Sequence, residues 1–126
     1  MLAQALAELP NECCGLLSGK VDANRAVAEV THRYALVNDL HSPTEFLSEP
    51  KSMFLAVKDM RRNGIDVLAV YHSHPTSEPV PSRRDLERNW SSNVMNLIIG
   101  LDDAEPVVRG WWLDSEEFRD GSWEMI

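Results

Sequence analysis

The stretch AVYHSHPTSEPVPSRRD, residues 69–85, joins the end of an apolar run to two histidines and a proline-rich turn. Residues 65–71 form a near-continuous apolar run, which is typical of a central strand covered on both faces. Side chains alternate faces along a strand, so His72 and His74 are expected on the same side of the sheet. One histidine alone would be typical of a satisfied core or rim residue. Two imidazoles at the carboxyl end of a strand have the spacing with which neutral nitrogens bind one metal ion.

The second half of this stretch supplies a carboxylate. Ser82 and Asp85 have the spacing of a capping box, and the simplest interpretation is that they serve only to begin a helix. That helix can also turn the Asp85 carboxylate back toward the histidines, because Pro75, Pro79 and Pro81 restrict the intervening turn. Two histidines and one carboxylate are a typical ligand set of an open catalytic zinc site.

The rest of the chain alternates helical and strand patterns, which predicts an α/β fold. A helix is predicted over residues 48–64, because Ser48 suits an N-cap, Pro50 suits the first turn and Asn63-Gly64 can end it. Its buried face is expected to contain Met53, Val57 and Met60. A shorter helix is expected before Pro10, with an apolar face formed by Leu2, Leu6 and Leu9.

The remaining elements are predicted from shorter apolar runs and the turn residues between them. A helix is expected over residues 82–90, and a loop around a short strand is expected at 42–50. Strands are expected over residues 12–19, 25–38 (as one strand or two), 65–74, 94–101, 106–114 and, as a further option, 122–126.

The composition limits the classes of protein to which the chain can belong. Its 126 residues and 44% hydrophobic content suit one compact domain over residues 1–126. Acidic residues outnumber basic ones by 20 to 12, and the net charge of -8 argues against binding to nucleic acid or to an anionic membrane face. No apolar run reaches membrane-spanning length and the first residues lack the pattern of a signal peptide, so a cytoplasmic protein is expected.

The two cysteines, Cys13 and Cys14, are neighbours in the sequence. Their Cα atoms are about 3.8 Å apart across a trans peptide, closer than an unstrained disulfide prefers, so buried reduced thiols are expected. On a strand the two side chains point to opposite faces, and at most one of them could join a metal site.

The spacing of the histidines and the aspartate matches a known signature. His72-Ser73-His74, seven further residues, Ser82, two residues and Asp85 agree position for position with the motif of the JAMM (MPN-plus) zinc metalloprotease family. The chain is therefore similar to that family at the positions that carry its chemistry.

The likeness extends to other parts of the chain. LPNECCGLLSG, residues 9–19, resembles the segment of bacterial members that carries a catalytic glutamate, and Glu12 has the corresponding place. The stretches at 44–50 and 107–114 also resemble the corresponding segments of this family. The resemblance implies a single-domain mixed β-sheet flanked by helices, with a layout like that of cytidine deaminases. Many members have a short strand before the first helix, where this chain begins.

The resemblance also implies a mechanism. One zinc ion per chain would be held by His72, His74 and Asp85, leaving a position for water, which the metal makes acidic enough to ionise near neutral pH. Glu12 would take the proton from this water and later deliver one to the leaving amine. Ser82 would donate its hydroxyl to the oxyanion, cap the helix, or do both.

The substrate class is implied by the short segment after Asp85. Only eight residues, 86–93, precede the next predicted strand, so the long insertions of eukaryotic deubiquitinases are absent. The resemblance therefore favours the bacterial type that processes or deconjugates small ubiquitin-like or sulfur-carrier proteins, cleaving after a carboxyl-terminal Gly-Gly. The identity of this partner, the choice between a peptide and an isopeptide bond, and the oligomeric state stay open.

Two other classes remain as alternatives. A catalytically silent MPN-type interaction scaffold would share the fold and bind a ubiquitin-like partner, but such modules characteristically lack the metal ligands. A nucleoside or base deaminase would share the layout, but its His-x-Glu and Pro-Cys-x-x-Cys signature is missing here.

Overall fold

A six-stranded sheet with helices on both faces forms the centre of the molecule, as seen in a computed structural model that describes residues 1–22 and 27–125. The elements are α1 (Leu2–Ala7), β1 (Cys14–Val21), β2 (Ala28–Leu36), α2 (Pro50–Asn63), β3 (Asp66–His74), α3 (Arg83–Glu87), β4 (Met95–Gly100), β5 (Val107–Leu113) and β6 (Phe118–Gly121). The strand order is β2-β1-β3-β4-β5-β6, with β3 and β4 parallel and the other neighbours antiparallel. The predicted α/β fold with a mixed sheet is confirmed.

Strand β3 lies inside the sheet and is covered on both faces, as its apolar sequence predicts. Ala69 and Tyr71 pack in a core layer with Ala5 of α1, whereas Val70 packs in the layer beneath α2. The sheet therefore has α1 on one face and α2 on the other.

The two cysteines confirm this alternation at the start of β1. Cys13 belongs to the core layer of α1, and Cys14 belongs to the layer of α2. Both are buried free thiols, as expected, and burial raises the pKa of Cys14 to about 12. Neither is a member of the one cluster of potential metal ligands found among the described residues.

Helix α2 agrees with the predicted pattern except at its first residue. Met53 and Val57 pack on the core and Met60 is buried, which confirms the predicted face. The predicted N-cap was wrong: Glu49, not Ser48, is the N-cap, because its carboxylate accepts a hydrogen bond from the Ser52 amide at 3.2 Å. None of the helices in the described ranges combines the length and the apolar character needed to cross a membrane.

The buried face of α1 differs from the prediction. Leu2, Leu6 and Leu9 are 41–52% exposed, and Ala5 is the residue that packs on the sheet. Hydrogen bonds decide this orientation: Gln4 donates to the carbonyl of Cys14 and accepts from the hydroxyl of Tyr71. Contacts with β1 and β3 therefore override the leucine spacing.

Three further boundaries differ from the sequence prediction. Helix α3 ends at Glu87 rather than near residue 90, and the short strand expected at 42–50 is only a single bridge between Asn38 and Ser48. The last strand is β6, which pairs with β5, and residues 122–125 are not in a strand. The strand expected over 25–38 is one strand, β2. Residues 25 and 26 of that prediction lie outside the described residues, and so does residue 126 of the strand expected over 122–126.

Candidate metal centre

Three side chains meet at the carboxyl end of β3. Nε2 of His72 lies 3.1 Å from Nε2 of His74, and these nitrogens lie 3.3 and 3.4 Å from the two carboxylate oxygens of Asp85. All three side chains are buried, with 1%, 7% and 8% of their surface exposed. The structure thus brings together the three residues that the resemblance proposed as ligands.

The local fold explains why Asp85 reaches the histidines. The turn between β3 and α3 is anchored by two hydrogen bonds: Nδ1 of His74 contacts the Glu78 carbonyl at 2.8 Å, and Trp111 donates to the Pro79 carbonyl at 2.9 Å. Asp85 then takes part in a capping box, in which its carboxylate accepts from the Ser82 amide at 2.8 Å. Capping and convergence on the histidines therefore occur together.

The electrostatics favour an ionised carboxylate. Burial alone would raise the pKa of Asp85, but its contacts with the imidazoles of His72 and His74 and the hydrogen bond from the Ser82 amide together hold it far below its usual range. An ionised carboxylate and two imidazole nitrogens are the donor atoms that Zn²⁺ prefers.

The two histidines are oriented differently. His74 can donate its Nδ1 proton to the Glu78 carbonyl, which leaves the Nε2 lone pair facing the cluster. Nδ1 of His72 is buried and has no hydrogen-bond partner among the residues that the structure describes. Its ring is instead stacked on Phe46, with ring centroids 4.7 Å apart.

These residues fit a bound metal ion. Each offers one ligand atom, and the three atoms lie within 4.8 Å of one another. Nε2 of His72, Nε2 of His74 and a carboxylate oxygen of Asp85 therefore lie close enough together to bind one cation. Three protein ligand atoms rather than four are the number that catalytic zinc sites have, because such sites keep the fourth position for water or substrate.

Glu12 lies beside this cluster. It is only 4% exposed, and burial raises its pKa from 4.5 to about 8. His74 lowers and Asp85 raises that pKa, so both charges act on the carboxyl group. Glu12 comes directly before Cys13, whose amide donates to the Ser73 hydroxyl and whose carbonyl accepts from the Ser73 amide of β3.

Ser82 is exposed and acts as the N-cap of α3. Its hydroxyl oxygen accepts from the Asp85 amide at 3.2 Å, which confirms the capping interpretation. This bond uses the oxygen lone pair, so the hydroxyl proton is still available for a second partner.

The loop over residues 37–49 covers this region; a loop was predicted over 42–50, but sequence reasoning missed its contacts with the site. Phe46 stacks on His72, and the Glu45 carboxylate forms an ion pair with Arg84 at 2.6 Å. Buried Asn38 also belongs to this loop. The family likeness at residues 44–50 and the loop predicted over 42–50 pointed to this segment but indicated none of these contacts.

Comparison with known proteins places the chain in a family. Residues 1–114 match the family described as prokaryotic homologs of the JAB domain. A probable TtuB-protein conjugate cleaving protease from Thermus thermophilus is 36% identical over 108 residues, which are 84% of this chain and 67% of that protein. A desampylase from Pyrococcus furiosus is 34% identical over 81 residues, 63% of this chain and 54% of that protein.

A solved structure agrees with this placement. The solution structure of a protein from Desulfitobacterium hafniense has a TM-score of 0.83 and 36% identity, and the match covers 96% of this chain and 82% of that one. The fold, the sequence match and the motif agree. The chain belongs to the prokaryotic JAB-domain (JAMM) family.

Proposed function

We propose that this chain is a zinc-dependent peptidase or isopeptidase that hydrolyses the bond after the carboxyl-terminal Gly-Gly of a small ubiquitin-like or sulfur-carrier protein. The observation that carries this proposal is the convergence of His72, His74 and Asp85 beside the buried carboxyl group of Glu12. We also propose that the chain acts as one domain, with one zinc ion per chain.

The three ligands would hold the zinc ion through Nε2 of His72, Nε2 of His74 and a carboxylate oxygen of Asp85. When bound, zinc activates a water molecule and polarises the scissile carbonyl. The water oxygen bonds to the carbonyl carbon, and the bond from that carbon to the leaving nitrogen breaks.

Protons are moved by Glu12. Its carboxylate takes a proton from the attacking water and gives it to the leaving amine, so that no net proton is lost from the site. In the zinc-free protein burial raises the pKa of Glu12 to about 8, so its carboxylate, once ionised, is a stronger proton acceptor than that of an exposed glutamate. The Ser82 hydroxyl, free to donate, stabilises the oxyanion of the attacked carbonyl.

The substrate class rests on the relatives. One is named as a protease that cleaves protein conjugates and another as a desampylase, which supports hydrolysis of a conjugated carrier protein. Helix α3 ends at Glu87 and β4 begins at Met95, so no large element stands after Asp85 to form a second wall. A folded carrier that delivers an extended tail suits such a shallow site, and glycines let the tail backbone pass close to the metal.

The scaffold alternative predicts no hydrolysis. It is disfavoured because all five proposed site residues are present, with three of them in contact. The relatives' names likewise describe cleavage rather than binding.

The experiment compares three substrates of the zinc-loaded protein: a sulfur carrier extended beyond its Gly-Gly, the same carrier with Ala-Ala, and the free tail peptide. Mass spectrometry should show release from the first substrate and slow or no release from the other two. Equal rates on all three would contradict the tail specificity while leaving hydrolysis standing. No cleavage by the fully metallated protein would support the scaffold.

A further inference from the structure

Asn38, the second residue of the 37–49 loop, is 3% exposed and makes four hydrogen bonds through its side chain. Its Nδ2 donates to the backbone carbonyls of Glu12 and Glu45, each at 3.1 Å. Its Oδ1 accepts from the backbone amides of Leu40 and Leu47, each at 3.1 Å. An asparagine amide has two N–H donors and two acceptor lone pairs, so its capacity is fully used.

This pattern requires an amide in one orientation. Two N–H groups lie on the Oδ1 side and two carbonyl oxygens lie on the Nδ2 side, so a flipped amide would place like groups against each other. An aliphatic residue would leave up to four backbone groups without this partner, among them the buried carbonyl of Glu12, which is costly.

The Glu12 backbone is held from two sides. Toward β3, the next residue, Cys13, donates its amide to the Ser73 hydroxyl at 2.8 Å and accepts from the Ser73 amide at 3.1 Å. Toward the loop, the Glu12 amide donates to the Ser42 carbonyl at 2.8 Å, and its carbonyl accepts from Asn38. Both backbone polar groups of Glu12 therefore depend on the loop.

The same side-chain amide fixes the loop beside the ligands. It holds the carbonyl of Glu45, whose carboxylate pairs with Arg84, the residue before Asp85. The residue after Glu45 is Phe46, which stacks on His72. One buried amide thus connects Glu12 with residues that adjoin two of the three ligands.

We propose that Asn38 is a positioning residue that holds Glu12 at a fixed place relative to His72, His74 and Asp85. This inference rests on the proposed function, in which Glu12 carries the proton. Asn38 does not supply a ligand atom, so its loss should lower turnover without lowering zinc occupancy. A displacement of about 1 Å in a proton-transferring group can cost roughly 10²-fold in rate.

The first test does not depend on activity. Amide hydrogen exchange is followed by NMR in the zinc-loaded wild type and in Asn38→Ala, with Asn38→Ser as the milder variant if the alanine form does not fold. The Glu12 amide, whose own acceptor is the untouched Ser42 carbonyl, should lose protection at least tenfold, whereas the Ile98 amide in β4 should not change. If the Glu12 amide keeps its protection and only the amides of Leu40 and Leu47 exchange faster, the proposal is overturned.

The second test separates positioning from general stability. Asn38→Ala should lower kcat by about 10²-fold with KM and zinc content nearly unchanged. In a Glu12→Gln background the same substitution should add less than a twofold loss, because the group that it positions is already disabled. An equal loss in both backgrounds would overturn the proposal.

The matched control is Asn96, another buried asparagine, which donates to Asn89 rather than to any residue of the site. Asn96→Ala should lower the melting temperature but keep kcat. If Asn96→Ala lowers kcat as much as Asn38→Ala does, the effect is general destabilisation and the proposal is wrong. If the wild type hydrolyses no substrate, the proposed function fails, and the exchange experiment still decides the role of Asn38.

Discussion

At the scale of single residues, Glu12 separates metal binding from proton transfer. Its substitution by glutamine keeps nearly the same volume but provides no carboxylate to accept the proton of water. Glu12→Gln should therefore keep about one zinc ion per chain and its fold while losing roughly 10²–10⁴-fold in kcat. Metal analysis, circular dichroism and steady-state kinetics on the extended carrier check this. Hydrolysis at the wild-type rate would remove Glu12 from the mechanism.

The same residue makes the stability of the zinc-free protein depend on pH. Burial raises the pKa of Glu12 from 4.5 to about 8, so the folded state holds this proton more tightly than the unfolded chain does. Its contribution to stability is therefore largest below pH 4.5 and is lost as the pH rises toward about 8. As the pH rises across this range, the free energy of unfolding measured in urea should increase for Glu12→Gln relative to the wild type. A difference independent of pH would contradict the assignment.

Ser82 caps α3, and two substitutions can separate this role from the role proposed for its hydroxyl at the oxyanion. Ser82→Ala removes both the cap of α3 and the hydroxyl donor, so it should cost about 1 kcal/mol in unfolding free energy and about 10²-fold in kcat. Ser82→Asp provides a control because aspartate caps well but donates no proton when ionised. We expect it to restore stability and not turnover. Recovery of both would assign Ser82 to capping alone.

Residues that touch the cluster were predictable only where a motif marks them. His72 and His74 share a strand face and Asp85 follows in a capped turn, so their spacing allowed convergence, and the family motif marked them as ligands. Asn38 and Phe46 act through contacts across 26 residues or more, with the Glu12 carbonyl and with the His72 ring. A single sequence has no local signal for such contacts.

At the scale of elements, the end of α2 offers a test of backbone conformation that does not involve the candidate metal centre. Gly64 has φ 62° and ψ 37°, the left-handed conformation of a helix C-cap, and no atom would lie within 4 Å of an added Cβ. Gly64→Ala should therefore cost only the backbone strain, about 1 kcal/mol, with kcat unchanged. Gly64→Asn should recover part of this loss. Thermal unfolding measures the stability of both variants. An alanine variant as stable as the wild type would contradict the predicted backbone strain.

Elements were predictable where packing and pattern agree. The buried runs of β3 and the apolar face of α2 could be predicted directly from their sequences, because each buries the side chains that its periodicity selects. Helix α1 could not, since hydrogen bonds of Gln4 with β1 and β3 turn Ala5 rather than the leucines toward the sheet. Short helices contribute little packing area, so a few polar contacts can set their orientation.

At the scale of the whole molecule, the site is assembled from separate parts of the chain. Each of four parts contributes a group to it: Glu12 (two residues before β1), the end of β3, the start of α3 and the 37–49 loop. The sheet register explains this assembly: Cys14 pairs with His72, and the hydrogen bonds between Cys13 and Ser73 extend the pairing toward Glu12. Strand order could not be read from the sequence, because pairing partners lie far apart along the chain.

A metal ion held by β3 and α3 should stabilise the whole fold. Ligand present at about 1,000 times its Kd stabilises the native state by about 4 kcal/mol, which for a domain of this size raises the melting temperature by roughly 10 °C or more. Zinc should therefore raise the melting temperature of the wild type after chelation, with about one ion bound per chain. His72→Ala, His74→Ala and Asp85→Asn should each lose both the ion and the shift.

A matched control for these ligand variants lies on the same helix. Arg83 precedes Asp85 by two residues, its side chain is 92% exposed, and its ion pair is with Glu87. Arg83→Ala should keep the full zinc-dependent shift, because exposed ion pairs contribute little and this one lies away from the ligand atoms. If Arg83→Ala lost the shift as Asp85→Asn does, the effect would come from the helix rather than from the ligand. Full zinc occupancy in His74→Ala would contradict the assigned metal centre, because two remaining ligands cannot replace the third at undiminished affinity.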